Sequence, residues 1–120
     1  MYYYLSIHDQ LGHILKKFSI NDLKHKNDDN YVLKDIRDGR IYKKLLNSID
    51  GNALKNQEAF TFSLNTDGIS PANKSNLTIW PIFLVINELP IESRYSIDNT
   101  ILAGKLFYEI KKKLSLNLIF

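Results

Sequence analysis

Hydrophobic positions along this chain change their spacing between its two halves, and each spacing predicts a different kind of element. Ile7, Leu11, Ile14, Leu15 and Phe18 recur at three- and four-residue steps, the stripe of one helix face. Ser6 stands at the N-cap of that helix, and Asp9 sits where a capping-box acid belongs. The polar residues 21–30 then interrupt the pattern, with Asp28-Asp29-Asn30 reading as a turn or loop. A second helix is expected from near Asp38, with Ile41, Tyr42, Leu45 and Leu46 turned inward and Gly39 weakening its start. Residues 47–58 are polar, contain Asp50-Gly51, and link this helical half to the rest.

The period then becomes two. Phe60, Phe62 and Leu64 alternate with Thr61, Ser63 and Asn65, which places one face of a strand on a core. After a loop over residues 68–76, residues 77–87 form a second strand that is almost wholly apolar, as in strands covered on both faces. Pro81 lies inside it and donates no amide hydrogen. That implies an edge position, a bulge, or a strand that begins only at Ile82. Residues 101–107 read as a third strand, although Leu102, Leu106 and Ile110 at four-residue spacing also suit a short helix.

Composition narrows the class. The 120 residues, 44% hydrophobic and 24% charged, fit one small globular domain. With no cysteine, disulfides and cysteine-ligated zinc are excluded. The amino terminus, Met1-Tyr2-Tyr3-Tyr4, lacks a basic start before an apolar signal core, and the apolar run over residues 79–86 is far below the ~20 residues of a spanning helix. A nuclear or cytoplasmic protein is expected, not secreted and with no membrane partner. Sixteen Lys and Arg against 13 Asp and Glu give a net charge of +3. The basic groups (Lys16-Lys17, residues 24–26, residues 34–44 and Lys111-Lys112-Lys113) have acids interleaved in the third, so they read mostly as solvated faces, and any DNA contact as weak and non-specific.

Few residues stand out for chemistry. Asp67 leaves the first strand at its carboxyl end, although Asp67-Gly68 taken alone reads as a hairpin turn. Trp80 has the ring to stack on a base, but its place in an apolar run assigns it to the core. His8 and His13 are five residues apart and point away from one another on a helix, which argues against a shared metal. His25 belongs to a basic loop, and all three histidines are expected at the surface. Tyr2, Tyr3 and Tyr4 are expected to fray or to pack on the first helix.

The order of several short segments carries more than any of them alone. Phe60-Thr61-Phe62, Asn65-Thr66-Asp67-Gly68-Ile69, Lys74-Ser75, Ile79-Trp80-Pro81, Ile86-Asn87-Glu88-Leu89-Pro90 and Ile101-Leu102-Ala103-Gly104 together resemble the transposase domain of cut-and-paste DNA transposons, CACTA-like or related, and of transposase domain-containing host proteins. Upstream, Asp35-Ile36-Arg37-Asp38-Gly39-Arg40-Ile41-Tyr42-Lys43-Lys44-Leu45 and the helix from Ile7 to Phe18 are similar to the segments that precede the strand there. The chain departs from that pattern after Gly104, where Lys105-Leu106-Phe107-Tyr108-Glu109-Ile110 replaces Leu-Trp, a glycine and a Lys-Pro pair.

The resemblance implies a mixed α/β chain, an α+β fragment in which residues 1–58 are a helical lead-in and linker and residues 59–120 the first strands of an incomplete RNase H-like fold. It implies that Asp67, at the end of a central strand, is the ancestral catalytic residue and metal ligand. The parent family uses Mg2+ or Mn2+ to cleave and join DNA. Its later acids come from sequence beyond this chain. Glu88 and Glu92 are the acids at hand, and Glu88, in its turn, is assigned to backbone or solvent. A truncated or degenerate transposase fragment is therefore expected, without activity or cofactor of its own, whose partners are DNA, a second copy of itself or a full-length transposase. A non-catalytic DNA- or protein-binding module derived from a transposase, and a small α+β interaction domain, are the alternatives.

Overall fold

Ser6 opens the first helix as its position predicts, its Oγ accepting the Asp9 amide hydrogen at 3.3 Å, and α1 runs Ile7–Leu15. The structure, a computed structural model, describes residues 2–26, 32–48, 51–70 and 77–109, with Tyr108 and Glu109 described by their backbone only. The expected turn at Asp28-Asp29-Asn30, Asp50, the Lys74-Ser75 pair, Lys111-Lys112-Lys113 and residues 114–120 lie outside the described residues.

The described elements are β1 (Tyr2–Tyr4), α1, a 3-10 turn (Ile36–Asp38), α2 (Arg40–Leu46), α3 (Gly51–Lys55), β2 (Phe62–Thr66), β3 (Leu77–Ile86), α4 (Ile91–Arg94), a second 3-10 turn (Ile97–Asn99) and β4 (Thr100–Glu109). The architecture is mixed, α+β, built on a four-stranded sheet of order β1-β4-β3-β2 in which every pairing is antiparallel. All three expected strands form, and residues 101–107 belong to a strand, not a helix. β2 stands at one end of this order, where a central strand was expected. Tyr2–Tyr4 is also corrected: it neither frays nor packs on α1 but pairs with β4, Tyr3 meeting the edge of Phe107 with ring centroids 5.4 Å apart.

The core lies where α1 crosses the Ile86 end of the sheet. Ile14, Leu23, Ile86, Leu89 and Ile101 are buried together, flanked by Ile7, Leu11, Leu15, Phe18, Phe60, Phe62 and Leu84. Each such side chain contributes about 1.5–3 kcal/mol on burial. Gln10 interrupts the apolar stripe of α1 for a structural reason. β4 opposes Phe83 with Leu102 and Ile82 with Gly104, so Ala103 is an extra, bulged residue. Gln10 there bonds both the amide and the carbonyl of Leu102, each at 2.9 Å, while the Leu5 amide takes the Ala103 carbonyl at 3.0 Å.

α2 forms, but not as the apolar pattern predicted. Tyr42 and Leu46 are half-buried, whereas Ile41 is 83% exposed and Leu45 is exposed too. The four side chains spread over about 140° of the helix, and the side that is covered is the one carrying Tyr42 and Leu46, where Tyr42 bonds Glu88. The linker is not wholly irregular either, since α3 occupies its middle and buries Leu54.

Candidate functional site

Thr66 pairs with Ile82, and beyond the end of β2 Ile69 bridges Ile79 in the same register. Carrying the register through sets Asp67 opposite Pro81 and Gly68 opposite Trp80. Asp67-Gly68 is therefore not the hairpin turn that its dipeptide suggests. It is an interruption within one strand path. Asn87 donates its amide hydrogen to Thr61 and Ile79 donates its own to Ile69, so the amides at alternate positions of β3 face β2. Position 81 falls in that series, and proline has no amide hydrogen to give Asp67. Pro81 thus lies in an interior strand, at the point where its missing donor breaks the ladder and Asp67 comes free.

Gly68 serves a close approach rather than a turn. No described glycine has positive φ, so Gly68 is not there for a left-handed turn. A Cβ on it would come within 2.9 Å of the Trp80 ring. The indole lies across the bare backbone, 40% exposed where a core position was expected. Asp67 is exposed at the strand end beside this contact.

A two-metal centre requires several carboxylates converging on the ions. Among the described residues no group of three or more His, Cys, Asp or Glu is close enough to hold one. Glu88 cannot join Asp67, because it adjoins Thr61 at the opposite end of β2. At about 3.3 Å per residue that is about 20 Å away. The residues described do not form the metal centre implied by the resemblance.

What they form at the Glu88 end is a closed polar network. Buried Glu88 accepts from the Thr61 amide at 2.9 Å, the Thr61 hydroxyl at 2.7 Å and the Tyr42 hydroxyl at 3.1 Å. Burial, and then the adjacent Glu88 carboxylate, push the Tyr42 hydroxyl well above its ordinary pKa. Asn87 accepts from the Ser63 hydroxyl at 2.8 Å and donates to the Thr61 hydroxyl at 3.1 Å. The assignment of Glu88 to backbone bonding holds, with two hydroxyls added. α2 is held to the sheet by Tyr42.

Beside it stands an ion cluster that sequence spacing did not suggest. Arg94, 1% exposed, makes a two-pronged bond to Asp35 at 2.7 and 2.8 Å and also bonds the Leu89 carbonyl. Arg37 approaches the same carboxylate at 3.2 Å. Burial alone would raise the Asp35 pKa, but the hydrogen bonds and charge of Arg94, then of Arg37, bring it down to about 2. Asp38 accepts from the Lys34 and Asp35 amides at 2.7 and 2.8 Å and contacts His25, which stays at the surface as expected. His8 and His13 are exposed too, so all three histidines lie where they were expected. The Asp35–Arg94 cluster left no such signal in the sequence, whereas Gln10 under the β4 bulge did, as a polar side chain within an apolar stripe.

No family model, no curated protein and no solved structure matches this chain. Among the described residues, no helix is long and apolar enough to cross a membrane.

Proposed function

We propose that this chain carries the amino-terminal part of an RNase H-like transposase core, with Asp67 as the ancestral first metal-binding carboxylate, and that it does not cleave DNA alone. One observation carries the reading: two of the segments on which the resemblance rests, Thr66-Asp67-Gly68 and Ile79-Trp80-Pro81, fall opposite each other and account for each other's residues. Pro81 frees Asp67 from the ladder, and Gly68 makes room for Trp80. Further support comes from β2, whose outer side is unpaired among the described residues and on which additional strands carrying the remaining acids have a place to add.

Incubation with supercoiled and linear DNA in Mg2+ or Mn2+ tests it. The expected result is non-specific binding, on the order of micromolar or weaker and falling steeply with added salt, with no nicking. Nicking that Asp67→Asn abolishes would overturn the inactivity. Absence of DNA binding even at low salt, with a stable protein complex instead, would favour a small interaction domain. That second reading has its own support in Leu64, Ile69 and Trp80, large apolar side chains exposed around the same strand end.

A further inference from the structure

Arg37 has more donors than partners. Its Nε donates to Asp35 at 3.2 Å and its Nη1 to the Leu23 carbonyl at 3.0 Å, while Nη2 donates to no group among the described residues. Yet the residue is 5% exposed. Since no fully buried side-chain nitrogen or oxygen among the described residues lacks a partner, Nη2 must open onto space. Arg37 does line a cavity of about 230 Å3, which Lys24, Lys26 and Lys34 also line.

The charges there do not cancel where they face the cavity. Three carboxylates, Asp22, Asp35 and Glu92, share the lining with those four cations. Arg94 occupies both oxygens of Asp35 without lining the cavity itself. Asp22 is held on its own turn by the Ser19 amide and hydroxyl, at 2.7 and 2.8 Å. Asp22 keeps its charge, with Lys26 near it, so with Asp35 taken by Arg94 the three lysines and Arg37 outnumber the remaining carboxylates, Asp22 and Glu92, by four to two. A buried guanidinium with a free edge, ringed by flexible ammonium groups, suits a tetrahedral oxyanion: the planar fork fixes orientation and the lysines add charge.

The geometry points to a phosphate-binding pocket between the Leu23–Lys26 segment and the start of α4, with the oxyanion seated on Arg37 Nη2 under Lys24, Lys26 and Lys34. This is independent of the transposase reading, which concerns the Asp67 end of the sheet. The ligand is a phosphate group, supplied either by a nucleic-acid backbone or by a free phosphate or phosphomonoester.

Amide chemical shifts of the full chain, titrated with inorganic phosphate against sodium chloride at matched ionic strength, test the proposal. Saturable, phosphate-specific shifts are expected at residues 23–26 and 34–38. Lys24→Gln and Lys34→Gln, both at exposed positions, should each weaken binding about tenfold, the scale of one charged contact, while Lys43→Gln on α2 should leave it unchanged. Equal shifts with chloride, or no loss in the Lys24 and Lys34 variants, would overturn the proposal. A short single-stranded oligonucleotide then separates the sources. Displacement of phosphate from these residues supports the pocket with a nucleic-acid backbone as its ligand, and undisturbed phosphate binding supports it with a free phosphate or phosphomonoester.

Discussion

Asp35 and Arg94 meet across 59 residues of sequence, and their pair is the most exacting contact in the molecule because both partners are almost fully enclosed. Removing one partner leaves the other charge buried, which typically costs ~3–5 kcal/mol. Arg94→Ala should therefore lower stability by about that much in chemical denaturation, whereas the double replacement Asp35→Ala with Arg94→Met should cost less than Arg94→Ala alone; the reverse order would remove the ion pair from its assigned role. The pair also sets a pH dependence. The folded Asp35 pKa, about 2, lies below its ordinary 3.8, so its contribution is fully present above about pH 4 and is lost as the pH falls toward 2. Asp35→Asn should flatten that part of the acid unfolding curve. At Gly68, a Cβ would strike the Trp80 ring at 2.9 Å. Gly68→Ala should displace the indole and cost about 1 kcal/mol or more, and because Trp80 is the sole tryptophan its emission spectrum reports the shift. An unchanged spectrum would refute the packing.

Strand β1 depends on one position of β4. A Cβ at Gly104 would lie 2.6 Å from the Tyr3 carbonyl oxygen, a backbone atom that cannot move without moving its strand. Gly104→Ala should detach β1 while leaving β2–β3 pairing intact. Hydrogen exchange gives the readout. The Leu5 amide, bonded to the Ala103 carbonyl at 3.0 Å, should exchange much faster in the variant, with the Asn87 amide on the far side of the sheet unchanged. Uniform acceleration at both amides would mean that β1 does not open as a separate element. The same element-level logic explains α2. Its amphipathic spacing was readable, but the face it buries is chosen by the Tyr42–Glu88 bond, which turns Ile41 to solvent.

For the whole molecule, β2 is the exposed feature. Its outer side is unpaired among the described residues, and Leu64 (57% exposed), Ile69 (54%) and Trp80 (40%) lie around its end. Unpaired strand edges with apolar side chains recruit other chains. A second copy pairing along β2 is the expected outcome, so the mass from light scattering should rise with concentration. Leu64→Lys should suppress the rise by placing a charge on that edge. A concentration-independent monomer with one sharp unfolding transition would show a self-sufficient domain and favour the interaction-domain reading over a transposase core that needs further strands.

Local pattern in the sequence determined what could be decided locally: α1 with its Ser6 cap, the alternation of β2, the long apolar β3, and Asp67 at a strand end. Periodicity and capping act over a few residues and so leave a trace in the order of residues. Register and long-range pairing leave none. Only the tertiary structure decided that Tyr2–Tyr4 completes the sheet beside β4, that Asp67 faces Pro81 and Gly68 faces Trp80, and that Asp35 and Arg94 close on each other. These contacts join residues far apart in the chain, where their selection rests on which faces and buried charges can be satisfied together.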